Sequence, residues 1–372
     1  MTDQLIHIEL INKLTLAGSC FALYRLPGKE SVRLVYQTSG QPTLIRSISE
    51  LNYREGFVFA PFQITDKHPL LLINPEKHLA GWEAIGAFLS ALAINDKENA
   101  SGEILAHSPQ KNTKSTYLAA FDKFIGALQS GRFNKLVLSR CTAIARQPEF
   151  SPAEAFLRAC AKYPGAFVYL CHTPVSGTWM GSTPEVLLKG SHAAYQTVAL
   201  AGTRKAKTDC TTATRWDHKN KNEQSLVALY LREVLARNAE SWSEEKTETL
   251  TAGNVVHLKT GFSFAYPSTD KLGSLLQQLH PTPAVCGLPK EEAYRFILAE
   301  EGYDREYYSG FTGYLSAKNQ TDLYVNLRCM KIEAEELKLF AGGGLLPSSS
   351  RETEWKETEE KLKTMKQIIE VS

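Results

Sequence analysis

The run from Phe167 to Ala199, FVYLCHTPVSGTWMGSTPEVLLKGSHAAYQTVA, decides the fold class. It holds three strand-like segments, Phe167–His172, Val186–Lys189 and Tyr195–Ala199, and no helix-length segment between them. Parallel strands would need long crossovers, usually helical. Outward from this run the same irregularity continues. Strands are expected at Phe21–Tyr24, Val32–Tyr36, Gly56–Ala60, Leu70–Ile73, Lys135–Arg140, Val255–Phe264, Leu323–Met330 and Leu337–Ala341. Helices are expected at Gly81–Ile94, Tyr117–Ser130, Pro152–Lys162, Trp216–Arg237, Lys271–Gln278, Lys290–Glu300 and Arg351–Ile369. Many strands without regular β-α-β spacing indicate an α+β fold with large, mostly antiparallel or mixed sheets. The polar, turn-rich stretch Asn95–Gln110 reads as a surface connection. It separates an N-terminal α/β segment, 1–110, expected to complete the sheets, from a catalytic region, 111–372.

Composition excludes several classes. The 372 residues carry 42 basic and 40 acidic side chains, so no strong field draws in nucleic acid or a membrane surface. The apolar run Ala84–Ile94 is too short to cross a bilayer. Met1-Thr2-Asp3-Gln4 lacks the basic start of a signal peptide. The seven cysteines are odd in number, widely spaced and free of C-x-x-C, which argues against a disulfide framework or a zinc site. A soluble, reduced, cytoplasmic protein is expected.

Several residues could carry chemistry, each with an ordinary alternative. Lys135 opens a strand, where lysines are usually solvated; it becomes a base only in a desolvated setting. Glu185 follows the Gly-Ser-Thr-Pro turn and leads into an apolar strand; partial burial would make it a proton donor. Glu223 projects from the face of its helix that carries Val227, one turn earlier, so its carboxylate needs a counter-ion or a metal. In the last helix, which Ser349-Ser350-Arg351-Glu352 opens as a capping box, Glu354, Glu357 and Lys361 share a face. That face reads either as a solvated Glu357–Lys361 pair or as a carboxylate set for magnesium beside a substrate-binding lysine. Gly342, Gly343 and Gly344 follow a strand and would let an anion approach the backbone, without the lysine of a P-loop. Gly202 and Thr203 form a similar strand end. Arg328 is placed on a strand face with Tyr324 and Asn326, either solvated or clamping a carboxylate. His257, alone within a strand, is ordinarily a core group.

Taken in order, these segments resemble the chorismate-utilising enzymes, over roughly residues 113–370. The resemblance rests on Lys-Leu-Val-Leu-Ser-Arg from Lys135, Ser-Thr-Pro-Glu ending at Glu185, Ala-Leu-Ala-Gly-Thr-Arg around Gly202, and Val-His-Leu at His257. It continues through Leu279-His280-Pro281-Thr282-Pro283-Ala284, Tyr308-Ser309-Gly310-Phe311-Thr312-Gly313-Tyr314, Leu327-Arg328, Phe340-Ala341-Gly342-Gly343-Gly344 and Glu354-Trp355-Lys356-Glu357-Thr358. It implies two large sheets stacked between helical layers, with the active site between the sheets. It implies Lys135 as general base and Glu185 as general acid. Glu223 and Glu357 match ligands of Mg2+, with Glu354 nearby. Gly202, Thr203, Arg328, Gly342, Gly343 and Lys361 match positions that hold chorismate, and His257, Ala284 and Tyr308 line the pocket. Ala201 stands where aminodeoxychorismate synthases carry a nucleophilic lysine, and Lys135 is present where ammonia-using members usually lack it. Water is therefore the expected nucleophile, and isochorismate synthesis the expected reaction. Isochorismate feeds menaquinone, siderophore and salicylate formation. Two alternatives stay open: a salicylate synthase that also eliminates pyruvate, and a non-catalytic or partner-dependent chorismate-binding subunit. A monomer or homodimer is expected. The chain departs from the family at Gln224, where many members have histidine, at Lys205-Ala206, and in a short stretch between Thr203 and Glu223.

Overall fold

The computed structural model describes residues 2–38, 40–92, 114–205, 216–253 and 255–369. The connection expected at Asn95–Gln110, the end of the helix expected to reach Ile94, and Cys210 lie outside them. Before residue 100 the chain forms α1 (Thr2–Leu16), strands β1 (Cys20–Arg25), β2 (Val32–Gln37), β3 (Thr43–Ile45), β4 (Gly56–Ala60), β5 (Leu70–Ile73) and β6 (Lys77–Ala80), then α2 (Trp82–Ala91). There follow α3 (Lys114–Gln129), β7 (Lys135–Ala145), α4 (Pro152–Lys162), β8 (Phe167–Thr173), β9 (Gly177–Thr183), β10 (Val186–Ser191), β11 (Ala194–Lys205) and α5 (His218–Asn238). The last part holds β12 (Ser241–Glu244), β13 (Glu248–Ala252), β14 (Val255–Ala265), α6 (Leu272–Leu279), β15 (Gly287–Leu288), α7 (Lys290–Glu300), β16 (Phe311–Leu315), β17 (Thr321–Val325), β18 (Cys329–Ile332), β19 (Glu336–Leu345) and α8 (Arg351–Ile369).

The strands form two antiparallel sheets. The first runs β15-β7-β19-β18-β9-β8-β1-β2-β6; the second runs β12-β14-β11-β10-β17-β16-β4-β5-β3, with β13 paired to β14. The N-terminal strands extend both sheets: β1, β2 and β6 the first, β3, β4 and β5 the second. An aromatic core fills the space between them, with Tyr24, Tyr169, Trp179 and Phe340 from the first sheet and Phe57, Phe59 and Tyr324 from the second. Helices α1, α2, α4 and α8 cover the outer face of the first sheet, and α5 and α6 that of the second. Strands buried on both faces explain the continuous apolar runs in the sequence. In β1, Cys20, Ala22 and Tyr24 face the inter-sheet core while Phe21 and Leu23 face the helices. Among the described residues no helix is long and apolar enough to cross a membrane. The six described cysteines are free, four of them buried.

The structure corrects several readings of the sequence. The helix α1 was not expected; among its described side chains Ile11 and Leu14 are the buried ones. Strand β9 reads as turn because Gly, Ser and Thr crowd it, yet Trp179 packs into the inter-sheet core and Met180 into the helix-facing core. The expected single strand Leu323–Met330 is two: β17 belongs to the second sheet and β18 to the first. The chain crosses between sheets at Asn326–Arg328, and Arg328 takes a positive φ of 48°. Its side chain therefore follows the crossing and not the alternation of a strand. The three glycines lie inside β19, paired with Ser139, Leu138 and Val137. The last helix is capped by Ser350, whose Oγ accepts from Thr353 N at 3.4 Å, one residue later than the capping box expected from Ser349.

Candidate active site

Two sheet-to-sheet crossings meet at one pocket. Pro184 and Glu185 link β9 of the first sheet to β10 of the second, and Leu327 and Arg328 make the return crossing. Their backbones are tied to the neighbouring strands: Val325 N donates to Glu185 O at 2.9 Å, and Ser182 N to Arg328 O at 3.0 Å. The pocket, about 60 Å³, is lined by Glu185, Gly202, Thr203, Glu223, His257, Ala284, Tyr308, Arg328, Gly342, Gly343 and Lys361. Three other candidates, Lys135, Glu354 and Glu357, stand behind this lining. Apolar wall residues such as Val137, Leu200, Val285, Leu327 and Phe340 were not singled out from sequence, because they look like any other strand residue.

The Glu185 carboxyl is 3% exposed. Burial pushes its pKa up to about 8, against the opposing pull of Lys135, Lys361 and Arg328. Lys135 is fully buried at the start of β7. Its Nζ lies 3.2 Å from Glu223 Oε1 without hydrogen-bond alignment, and it has no hydrogen-bond partner among the described residues. Both side chains press against Gly344. A Cβ there would stand 2.0 Å from Glu223 Oε1 and 3.0 Å from Lys135 Cε, so only glycine leaves them room. Gly202, at φ 72°, forms a bulge in β11 against Asn220, whose Oδ1 accepts from Thr203 N at 2.9 Å. Asn220 sits in the first turn of α5, capped by Asp217. The bulge thus fixes the helix that carries Glu223.

His257 connects the bulge to the crossing. Its Nδ1 lies 3.0 Å from Gly202 O and its Nε2 3.0 Å from Arg328 Nη2. A carbonyl only accepts and a guanidinium only donates, so the proton sits on Nδ1. Burial and the Arg328 charge hold this imidazole well below its usual pKa, hence neutral. Arg328 also donates to Thr364 Oγ1 at 3.2 Å, and burial pulls its pKa down to about 10. Arg305 supports the wall from behind. It pairs with Glu301 and donates to Val285 O at 2.8 Å and Val137 O at 3.0 Å.

The carboxylates of α5 and α8 gather beside Gly343 and Gly344. Lys361 Nζ donates to Glu357 Oε1 and to Gly342 O, both at 2.7 Å; Lys361 lines the pocket with Glu357 behind it, so the pair is not on a solvated helix face. Lys219, which the sequence reading passed over, pairs with Glu354. It is one helical turn before Glu223 but hidden in a polar run. Burial opposes its charge, but Glu354, Glu357 and Glu223 outweigh burial and hold its pKa above the usual value. Burial and the Glu357 charge raise the Glu354 carboxyl; burial opposes the Glu357 charge, but Lys361 and Lys219 outweigh it and keep Glu357 low. Glu354 Oε2 is buried without a hydrogen-bond partner. This donor set fits a hard dication: carboxylate oxygens, one of them unpartnered, gathered by two helices. Among the described residues no group of three or more His, Cys, Asp or Glu is placed to hold a metal ion.

A sandwich whose two crossings place a protonated carboxyl and an uncompensated guanidinium in one pocket is an enzyme fold suited to a small anionic substrate. The chain belongs to the chorismate binding enzyme family, whose model matches residues 73–370. It is 30% identical over 245 residues to the isochorismate synthase EntC of Escherichia coli (strain K12), a match covering 63% of this chain and 62% of that protein. In structure it is similar to MenF, the menaquinone-specific isochorismate synthase of Escherichia coli, with a TM-score of 0.78 at 23% identity, covering 96% of this chain and 91% of the other. Anthranilate synthase component I of Streptococcus pneumoniae TIGR4 shares the fold at a TM-score of 0.67 and 19% identity, covering 93% and 89%.

Proposed function

We propose that this chain is an isochorismate synthase, which adds water at C2 of chorismate with loss of the C4 hydroxyl. The observation that carries this reading is the Glu185 carboxyl, buried on the pocket wall with a pKa of about 8. It is protonated near neutral pH and can give its proton to a leaving hydroxyl. Lys135, acting as the neutral amine and without a hydrogen-bond partner among the described residues, takes a proton from the attacking water. The water oxygen bonds to C2, the ring double bonds shift, and the C4 hydroxyl leaves as water with the Glu185 proton. Passing the proton from Lys135 back to Glu185 through solvent restores both groups, so no net oxidation or hydrolysis occurs. Arg328, held by neutral His257, offers a charge for a substrate carboxylate, and Lys361 a second. Ala201, beside Gly202, cannot act as a nucleophile, which leaves water in that role. Glu223 and Glu357, with Glu354 near, would hold magnesium, which when bound supplies Lewis-acid polarisation of a substrate carboxylate.

The test is incubation of the purified protein with chorismate, with and without magnesium, and chromatographic separation of products. Magnesium-dependent isochorismate supports the reading. Salicylate with pyruvate, or no conversion, overturns it.

A further inference from the structure

A second cavity, about 260 Å³, adjoins the pocket and shares Pro184 and Arg328 with it. Its rim is exposed: Lys162 and Gly165 at the end of α4, and Thr251 and Gly253 of the β13–β14 hairpin. Its floor is buried: Ser182, Arg328 and Thr364. The hairpin tip roofs it, for a Cβ on Gly253 would stand 3.4 Å from Tyr163 Cε1 and 3.9 Å from Thr364 Oγ1. Three observations point to an anionic ligand here. Lys162 places a cation at the mouth. The Ser182 hydroxyl on the floor is 97% buried by residue and has no hydrogen-bond partner. The Arg328 guanidinium is buried, and among the described residues its hydrogen bonds go to a hydroxyl and a neutral imidazole. A buried cation without a carboxylate partner favours an arriving anion. The inner pocket, at about 60 Å³, is the tighter of the two spaces.

We propose that this chamber is a carboxylate-binding vestibule: a small carboxylate substrate is drawn in by Lys162, held by the Ser182 hydroxyl and Arg328, and passed along Arg328 to the inner pocket. The inference rests on the chorismate reading of that pocket. Arg328 serves both spaces without moving its backbone, so the carboxylate stays paired with it throughout the transfer.

The test uses the full chain with chorismate as the probe. Thr251→Trp fills the chamber from an exposed hairpin position, and Lys162→Glu reverses the charge at its mouth. Association is followed by stopped-flow quenching of intrinsic fluorescence in Lys162→Glu and by rapid-mixing product bursts in both variants. Thr251→Trp should slow association and lower kcat/KM by about fivefold or more, with kcat within about twofold. Lys162→Glu should lower kcat/KM about threefold at low salt, and the loss should fade in high salt. Melting curves establish that both variants fold. Unchanged kcat/KM in folded Thr251→Trp overturns the vestibule while leaving the chorismate reading intact. A wild-type chain that neither binds nor converts chorismate overturns the reading of the inner pocket, and the vestibule with it.

Discussion

The acid role proposed for Glu185 sets a limit on the pH range of catalysis. That role requires the protonated form, and burial pushes the pKa up to about 8. Activity is therefore present below that value and lost as pH rises through it. With a pKa of about 8, about 91% of the sites are protonated at pH 7 and about 9% at pH 9, so kcat/KM should fall about tenfold between them. Glu185→Gln keeps the shape but removes the proton, and should cost about 10²–10⁴-fold in kcat. Lys361→Met removes one of the cations that favour the carboxylate, so in its residual activity the alkaline limb should move to higher pH. Stability has the same sign. The unfolded carboxyl ionises near its ordinary value of 4.5, the folded one near 8, so stability falls between these values as pH rises. The slope is at most about 1.4 kcal/mol per pH unit, and Glu185→Gln should lack this contribution. The assays are initial rates of isochorismate formation from pH 6 to 9.5 and urea denaturation over the same range. A flat kcat/KM from pH 7 to 9, or a Gln variant within about threefold of wild type, would refute the assignment of Glu185 as acid.

Four further outcomes follow from the geometry. Lys135→Ala should abolish turnover, while chorismate binding measured by calorimetry stays within about tenfold, since the lysine stands behind the pocket lining. Gly344→Ala should lower kcat by about 10²-fold or more, because the new methyl occupies the space of the Glu223 carboxylate; a crystal structure would show both Glu223 and Lys135 displaced. Glu357→Ala should raise the magnesium concentration needed for half-maximal activity and weaken magnesium binding by calorimetry about 10-fold or more. Glu301→Ala leaves the Arg305 guanidinium buried without its carboxylate and should destabilise the chain by about 3–5 kcal/mol in denaturant titrations.

The sequence reveals this molecule unevenly, for physical reasons. Strands such as β1 and β8 are buried on both faces, so their apolar runs stand out, and the short links from β1 to β2 and from β8 to β9 fit antiparallel pairs. Strand β9 is also buried, but its small residues leave space for Tyr169, which stands 2.6 Å from where a Cβ on Gly181 would be; smallness hides the strand. The site shows the same division. Glu185 is legible beside a turn and Arg328 as a possible carboxylate clamp, yet both sit at the crossings between sheets, and alternation along a strand misplaced Arg328. Periodicity along a helix did put Glu223 on the buried face of α5 and Glu354 and Glu357 together on α8. It also put Lys361 one turn from Glu357, but it could not show that Lys135 of β7 and Lys219 of α5 would pair with Glu223 and Glu354. That pairing explains how these carboxylates tolerate burial: each one gathered by the two helices has a lysine nitrogen within 3.2 Å or less. The two groups without such compensation are the Glu185 carboxyl, kept neutral by burial, and the Arg328 guanidinium, held by neutral partners. Both lie at the sheet crossings, and both are what an incoming anion that must accept a proton requires. The charge balance of the pocket thus separates its helix side, suited to a cation, from its crossing side, suited to the substrate.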